Sequence, residues 1–297
     1  MTSATLLRNP SARFHLLMGS ASLIAALIGA ISLATHTIQV QDVSGPILGA
    51  LVLAAMVSPL PAYWHQKGQY AKRDAVLVIP YCLVMSQLLR LVFLTAGRIS
   101  LPLQDDLFRS MDHALGFHSP ALMAWAQHAG IAAPLEHVYF LLQPLMMVAV
   151  LAPALLGMRQ AREYLLANLV ALSIVGVVFL LLPAVGPWFP HQFTPSPLQV
   201  ECQRDLLQLR QTGIAQGVGI VCFPSCHVLW AVLSVAALWG FRWLRIPATV
   251  LCAGIVLSTM TTGWHYLVDV LAALLLAFGS IVAARRLARW TAPLQDG

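Results

Sequence analysis

The sequence predicts an all-α fold, a polytopic membrane helix bundle of about eight transmembrane helices. Composition points first to a membrane, because 59% of the 297 residues are hydrophobic and only 9% are charged, whereas soluble domains carry about a quarter charged residues. Apolar stretches close to the length of about 20 residues that spans hydrocarbon as a helix recur along the chain. Basic residues also gather in every second connection between these stretches, as the positive-inside rule requires.

The predicted spans, in chain order, are 16–34, 46–64, 75–96, 134–156, 163–183, 224–241, 246–263 and 265–284. Arg8 and Arg13 precede the first span, and no small-residue cleavage site follows it, which favours a retained helix over a removed signal peptide. The pattern divides the chain into residues 1–74, with two N-terminal spans, and residues 75–297, with six.

Charge between the spans predicts the topology. The connections after the second, fourth, sixth and eighth spans contain Lys67, Lys72, Arg73, Arg159, Arg162, Arg242, Arg245, Arg285, Arg286 and Arg289. The intervening connections contain few arginines, and acidic residues offset them, so both termini are predicted to be cytoplasmic. The net charge of +6 therefore reports topology, and nucleic acid is not an expected partner. The leucine- and alanine-rich composition is typical of a bacterial inner membrane, which would place the outer connections in the periplasm.

Two of these outer connections, 97–133 and 184–223, are long. The first contains four charged residues among apolar ones: Asp105, Asp106, Arg109 and Asp112. This mixture predicts one or two interfacial amphipathic helices. Prolines and glycine at the start of the second prevent the preceding helix from continuing, and its length is typical of a functional cap or lid. Cys202 and Cys222 lie in it, and a disulfide and two free thiols are equally compatible with the sequence.

Three ionisable residues, His227, His265 and Asp269, fall at the predicted outer edge of the last spans. The four-residue spacing of His265 and Asp269 puts them on one helix face within hydrogen-bonding reach. A carboxylate on one imidazole nitrogen fixes the tautomer and leaves the other nitrogen as a nucleophile or base. A single membrane histidine is more often a helix–helix hydrogen bond, but three such residues at one depth indicate a catalytic site.

The segment 223–227 predicts an anion site at a helix N-terminus. Pro224 suits the first helical turn, so the amides of Ser225, Cys226 and His227 would have no partner within the helix and would point towards a phosphate. The Ser225 hydroxyl would add a further donor. His227 could then protonate a leaving oxygen.

The pattern Pro-Ser-x-His at 224–227, followed by Ser258, His265 and Asp269, resembles the second and third motifs of the type 2 phosphatidic acid phosphatase superfamily, over roughly 75–284. This resemblance implies a six-helix phosphatase-type core in which His265 attacks phosphorus to form a phosphohistidine and Asp269 orients it. His227 would protonate the leaving group and then activate the acceptor. The phosphoryl oxygens would be held by Ser225, the nearby amides including that of Cys226, and Ser258.

Two departures from the superfamily pattern leave open what neutralises the phosphate. The lysine and arginine of the first motif have no counterpart in 182–188, and Thr259 stands where an arginine is expected. Together with Phe223, these changes resemble the inositol phosphorylceramide synthase branch, which moves a phosphorylated head group between lipids. Arg90, near the outer end of the third span, is the first candidate for binding phosphate. A structural pairing or an outward-reaching side chain is the alternative for this residue.

Other side chains near the predicted site have a structural explanation of at least equal weight. Three polar residues of the fourth span could line the same cavity but more often make structural hydrogen bonds: Glu136, His137 and Gln143. Three aromatic residues are predicted to anchor the protein at the membrane interface: Trp188, Trp264 and Tyr266.

The sequence therefore predicts an integral membrane phosphotransferase of phospholipid or sphingolipid metabolism, acting at the outer membrane face. Its partners would be a lipid phosphate, a lipid or sugar-lipid acceptor and the surrounding membrane lipids, and no metal or other cofactor is expected because histidines and helix amides carry the chemistry. A lipid phosphate phosphatase, with water as acceptor, is the alternative. A transporter with a His/Asp proton relay is an alternative of another class, although such a relay predicts ionisable residues throughout the membrane depth.

Overall fold

A computed structural model describes residues 10–40, 44–190, 192–215 and 219–291, which are almost entirely helical. The helices are α1 (Pro10–Ala34), α2 (Ser44–Val57), α3 (Pro59–Gln66), α4 (Tyr70–Val76), α5 (Val78–Ile99), α6 (Asp105–Ala114), α7 (Ser119–His128), α8 (Ala132–Phe140), α9 (Leu142–Leu155), α10 (Arg159–Leu181), α11 (Pro197–Thr212), α12 (Cys226–Leu238), α13 (Arg245–Thr261) and α14 (Leu267–Trp290). The strands within these ranges are β1 (Gln39–Val40) and β2 (Ile214–Ala215). Arg8 lies outside the described residues.

Every predicted span coincides with helix. Five helical segments are long and apolar enough to cross a membrane: Ala12–Ala34, Tyr70–Ile99, Ala132–Leu155, Arg159–Leu181 and Leu267–Trp290. The other three predicted spans are shorter, because the second is split into α2 and α3 before Pro59, and α12 and α13 have 13 and 17 residues. Those two helices are about 20 and 26 Å long, against about 30 Å of hydrocarbon. The protein is an all-α integral membrane protein, as predicted.

The core is built around α14, which packs against α10 and α12. The buried face of α14 consists largely of small residues, among them Ala273, Ala277, Ser280, Ala284 and Ala288. Apolar side chains gain little from leaving lipid for another apolar surface, so helices in a membrane associate where small residues allow their backbones to approach closely. This face fixes α14, and with it the residues at its N-terminus, against the rest of the bundle.

Arginines join three chain segments at the end of the bundle where α14 finishes. The guanidinium of Arg13 donates to the carbonyl of Trp290 at 3.1 Å. Arg162 donates to the carbonyl of Thr291 at 2.9 Å and stacks 4.4 Å from the ring centre of Phe14. The starts of α1 and α10 and the end of α14 therefore meet at one end, in agreement with the predicted alternation of basic connections.

At the opposite end, called here the site end, α6 lies across the start of α14. Both carboxylate oxygens of Asp112 accept backbone hydrogen bonds, from Leu267 at 2.9 Å and from Val268 at 3.0 Å. The predicted amphipathic helices of 97–133 are present as α6 and α7. The buried face of α6 carries two carboxylates, Asp105 and Asp112, together with Phe108. An acidic side chain is stable there because α14 begins with amides that have no acceptor within their own helix.

The second long connection, 184–223, forms a cap on the site end through α11. The side chain of Gln199 donates to the carbonyl of Thr262 in the turn between α13 and α14, at 3.1 Å. Arg210 contacts the hydroxyl of Ser100 and donates to the carbonyl of Leu101 at 3.0 Å. The two long connections are therefore bound to each other and to the helices that carry the candidate catalytic residues.

A parallel ladder between β1 and β2, with Gln39 opposite Ile214, ties the α1–α2 connection to this cap. Gly213 begins the ladder in a left-handed conformation, with φ of 78°. A Cβ atom at Gly213 would lie 2.6 Å from the carbonyl oxygen of Thr37. Glycine is thus required both by the backbone angle and by the close approach of the two chain segments.

We expect Asp112→Ala to lower the stability of the protein by about 2–4 kcal/mol, because two buried amides would lose their acceptor. Thermal unfolding in detergent micelles, followed by circular dichroism, measures the effect as a lower Tm. Asp106→Ala is the matched control in the same helix, since this side chain is 91% exposed and forms a surface ion pair with Arg109, which contributes little. Equal Tm values for the two variants would contradict the capping role of Asp112.

Candidate active site

His265 lies in the turn between α13 and α14, beside the start of α14. The backbone amides of Trp264 and His265 both donate to the carbonyl of Thr259, at 3.0 and 3.1 Å, which closes the turn. Nδ1 of His265 donates to Oδ2 of Asp269 at 3.2 Å. The two side chains are 4% and 0% exposed. The structure therefore contains the predicted histidine–carboxylate pair, although His265 precedes α14, which begins at Leu267, and does not share a helix face with Asp269 as predicted.

Asp269 accepts from two further groups that hold its carboxylate in place. Oδ2 receives the backbone amide of Tyr266 at 3.0 Å and the thiol of Cys222 at 3.2 Å. Burial, and then the neighbouring Asp269, raises the pKa of the Cys222 thiol well above its usual range. The thiol therefore keeps its proton at neutral pH and acts as a donor to Asp269. Three donors on one oxygen fix the orientation that Asp269 imposes on His265.

His227, the second residue of α12, shares the site with His265. The two ring centres are 6.1 Å apart, about twice the separation of reacting atoms in a near-attack geometry, so one phosphoryl group could lie between facing ring nitrogens. The hydroxyl oxygen of Tyr139 is 3.2 Å from Nδ1 of His227, and the two rings stack at 4.1 Å. Donation from Tyr139 to Nδ1 would leave the proton of a neutral His227 on Nε2, the nitrogen on the other side of the ring.

Arg90 reaches the same region from α5. Together with Cys226 and His227 it lines a cavity of about 380 Å³ that extends between α1, α5, α9, α10 and α12. Arg90 is thus the basic side chain that the structure brings into the cavity beside His227. Its placement agrees with the predicted position near the end of the third span, and its role as the phosphate ligand stays a prediction.

The site lies within a segment that matches one known family. The family model for the PAP2 superfamily, the type 2 phosphatidic acid phosphatase superfamily, matches residues 106–283, which is more than half of the chain. The chain belongs to the PAP2 superfamily. Neither a curated protein nor a solved structure matches it. The matched segment runs from α6 into α14 and contains His227, His265 and Asp269, whereas Arg90 precedes it. This PAP2 protein is therefore a membrane enzyme of a phosphatase-type family.

The helix N-terminus of this PAP2 protein differs from the predicted anion site. α12 begins at Cys226 with Ser225 as its N-cap, so Pro224 precedes the cap and does not occupy the first turn as predicted. The Ser225 hydroxyl accepts the amide of Val228 at 3.3 Å, and the Ser225 amide donates to the carbonyl of Asp269 at 3.3 Å. Of the three amides predicted for the anion site, those of Cys226 and His227 remain, because that of Ser225 already donates to the carbonyl of Asp269.

Ser258 occupies a buried position in α13 of the PAP2 protein, where its hydroxyl donates to the carbonyl of Ile255 at 2.7 Å. This bond within the helix accounts for the hydroxyl without a ligand. Direct binding of phosphate by Ser258 stays a prediction, as does the phosphate-binding role of Ser225 and Cys226.

The loop where the PAP2 first motif would place basic residues is held by an acidic residue instead. Asp105 accepts the amides of Val185 at 3.1 Å and Gly186 at 2.9 Å. The hydroxyl of Tyr266 also donates to Asp105, at 3.1 Å. Burial raises the pKa of the Asp105 carboxyl, and the two amide donors oppose that shift. The amides of Val185 and Gly186 are thus occupied by Asp105 and are not available to an anion.

Sequence reasoning missed two side chains that contact the candidate catalytic residues, Tyr139 and Cys222. Tyr139 lies on the same helix as Glu136 and His137, which are exposed and so do not line the cavity. A tyrosine near the end of a span is also typical of an interfacial anchor, so its contact with a histidine 88 positions away gave no local signal. Cys222 drew attention only as a possible partner of Cys202, and both are free thiols in the structure.

The interfacial role expected for three aromatic residues of the PAP2 protein is wrong for two of them. Trp188 and Tyr266 are buried. Trp188 donates from its indole nitrogen to Gln203 at 2.9 Å, and the Tyr266 hydroxyl bonds Asp105 and the carbonyl of Gly186. Trp264 stacks on Tyr139 at 5.5 Å. These rings form the packed floor of the cap because loops 97–133 and 184–223 cover the ends of the spans.

One cluster among the described residues has metal-ligand spacing: the donor atoms of Cys222, His265 and Asp269 lie within 4.8 Å of one another. Thiolate, imidazole and carboxylate are a donor set that Zn²⁺ accepts. A cation there would take Nδ1 of His265 and Oδ2 of Asp269, the atoms that orient the imidazole, and would need the Cys222 proton to leave. A cation at this cluster would therefore compete with the contact that orients His265, and the expectation that no metal is required stays a prediction.

Proposed function

We propose that this PAP2 enzyme transfers a phosphorylated group between lipids through a phosphohistidine on His265. The observation that carries the proposal is the placement of His227, with its ring centre 6.1 Å from that of His265, beside a His265 that donates to Asp269. An imidazole held in this way presents Nε2 as a nucleophile, and a second imidazole lies where a leaving oxygen would depart.

In the first half of the reaction, Nε2 of His265 forms a bond to phosphorus while the bond between phosphorus and the leaving oxygen breaks. His227, protonated when the anionic substrate is bound, gives its proton to that oxygen. Asp269 stabilises the positive charge that develops on His265. In the second half, His227 takes a proton from the acceptor hydroxyl, the oxygen attacks phosphorus, and the bond to His265 breaks.

Burial of the nucleophile favours transfer to a lipid over hydrolysis. His265 and Asp269 are almost fully covered, and α6 and α11 close the site end above them, so bulk water has restricted access to a phosphoenzyme. The absence of basic residues in 182–188 agrees with the inositol phosphorylceramide synthase branch, for which the acceptor is a lipid or sugar-lipid. We place the site at the outer leaflet of a bacterial inner membrane, facing the periplasm, with both termini cytoplasmic, from the distribution of basic residues.

Lipid phosphate hydrolysis is the second candidate, because the PAP2 superfamily includes phosphatases and His227 is only partly buried. The chemistry would be the same, with water as the acceptor that His227 activates. Membership in an enzyme family argues against a transporter, since a proton relay would not require a nucleophile oriented towards a second imidazole.

A product analysis separates the two candidates. Purified protein in mixed micelles is given a lipid with radiolabelled phosphorus in its head group, together with a bacterial lipid extract as the source of acceptors. We expect the label to appear in a new lipid, and an acid-labile label to appear on the protein after rapid quenching. Free phosphate as the sole product would establish the phosphatase alternative. No turnover and no labelled protein, while His265→Ala behaves identically, would reject both.

A further inference from the structure

The cavity beside His227 is long as well as large. Along α5 it is lined from Leu94, near the site end, to Cys82, a distance of about 18 Å at the helical rise of 1.5 Å per residue. It is also lined by Tyr164 and Asn168 of α10 at the far end and by Trp230 near His227. This cavity, called here the slot, thus runs from His227 along α5 and α10, and His265 is not among the described residues that line it.

The lining is apolar along most of this length. Leucine, methionine, phenylalanine and valine side chains form most of the walls, and Arg90 and His227 line the half nearer the site end. An apolar cavity of about 150 Å³ binds benzene, so a volume of about 380 Å³ holds on the order of a dozen carbon atoms. This is the size of one alkyl chain.

Part of the slot wall comes from outside the matched PAP2 segment. Met18 of α1 and the face of α5 from Cys82 to Leu94 line it, whereas the match begins at residue 106. Arg90 belongs to this part of the wall as well. The part of the chain that carries the family motifs therefore supplies the reacting groups, and the preceding part supplies one side of the space that leads to them.

We infer that this slot binds one alkyl chain of the lipid substrate, with the phosphate of that lipid between Arg90 and His227, and that α5 and α10 set the chain length that is accepted. The inference rests on the proposed function in that it assigns the lipid phosphate to the same site. A lipid of this kind matches the slot at both ends, because its anionic head meets a guanidinium and an imidazole and its tail meets apolar walls. A polar soluble phosphate would leave the apolar walls empty.

Photo-crosslinking tests the inference without requiring turnover. The native protein is incubated with an alkyl phosphonate, which the enzyme cannot cleave, carrying a diazirine at the far end of a chain of about twelve carbons. We expect labelled peptides from α5 and α10 near Cys82 and Tyr164, and competition by an unlabelled alkyl phosphonate. If inorganic phosphate competed and the unlabelled alkyl phosphonate competed no better, the site would bind free phosphate and the inference would be overturned. Labelling confined to the outer surface of the bundle would also overturn it.

A narrowing substitution tests chain selection in the active enzyme. Leu169→Trp places a bulkier side chain in the slot, and we expect kcat/KM to fall at least about tenfold for a long-chain lipid phosphate and about twofold or less for a short-chain one. Val177→Trp is the matched control on α10, because Val177 is 57% exposed and does not line the slot. Equal losses for both chain lengths would overturn the inference.

The two tests separate this inference from the proposed function. Crosslinks to α5 and α10 in a protein that shows no phosphoryl turnover would support binding of the alkyl chain in the slot and contradict the proposed reaction. Two outcomes would support the proposed reaction and contradict the slot. The first is turnover with crosslinks elsewhere, and the second is turnover with a chain-length preference that Leu169→Trp leaves unchanged. Arg90→Gln tests whether Arg90 binds the head group. We expect this substitution to weaken capture of the phosphonate probe at least about fivefold and to leave capture of an alcohol probe with the same chain unchanged.

Discussion

Replacement of His265 by alanine is expected to reduce kcat by at least about a thousandfold, because the variant has no atom that can form the bond to phosphorus. The protein should still fold, since the loss is one hydrogen bond to Asp269 and the turn at 262–266 is closed by backbone bonds to Thr259. The expected result also includes loss of the acid-labile label from the quenched protein. Activity is measured as turnover of a labelled lipid phosphate in mixed micelles, alongside Tm.

His137→Ala is the matched control for this experiment. His137 is exposed and its ring nitrogen lies 2.8 Å from the carbonyl of Ala133 in its own helix, so its removal should leave kcat and Tm unchanged. Retained turnover in His265→Ala would remove the nucleophile assignment. Loss of turnover with retained labelling of the protein would instead assign His265 to the second half of the reaction.

Asp269→Asn is expected to lower kcat by about a hundredfold to ten-thousandfold while KM changes by less than about threefold. Oδ2 of Asp269 accepts from His265, Tyr266 and Cys222. An asparagine whose oxygen takes the place of Oδ2 keeps these three donors, but it is neutral and cannot balance the positive charge that develops on His265. If its NH₂ group faces His265, Nδ1 must accept, and the proton moves to Nε2, which can then no longer attack.

The split between kcat and KM distinguishes this positioning role from a role in binding. Asp106→Asn is the control, since it makes the same chemical change at an exposed carboxylate. A rise in KM with unchanged kcat would show that Asp269 acts on substrate binding. A large fall in Tm would show that the carboxylate serves mainly to hold Tyr266 and Cys222, and the rate would then have to be compared at a temperature where the variant is folded.

The parts of the fold that follow from local pattern were predictable. Apolar length predicts the long membrane helices. The contact between His265 and Asp269 was also predictable, although His265 precedes Tyr266, the N-cap of α14, so the two side chains meet across the start of the helix and not along one helix face. The shared depth of His227 and His265 followed from the alternation of spans. These are properties of short segments or of the count of spans, so a single sequence contains them.

The parts that depend on contacts between distant segments were not predictable. Tyr139 meets His227 from another helix, and Asp105 reaches Gly186 across 81 positions. An acidic residue in an amphipathic stretch is expected to face water, and its burial becomes favourable only because free amides of another segment are there to receive it. The predicted start of α12, at Pro224, is two residues too early for a similar reason, since the amide of Ser225 finds an acceptor on α14.

The two-residue ladder between β1 and β2 has a practical consequence for dissecting this enzyme. Ile38, next to β1, is buried against a cluster that includes Leu206 and Leu209 of α11, and the amide of Gln39 donates to the carbonyl of Gly213 at 2.7 Å. A truncated protein that begins at α5, designed to isolate the motif-bearing portion, would lack Ile38 and Gln39. The carbonyl of Gly213 would then lose its donor, and Leu206 and Leu209 would become exposed. The residues ahead of α5 should therefore be retained in any expressed fragment, because their removal would loosen the cap that covers His227 and His265.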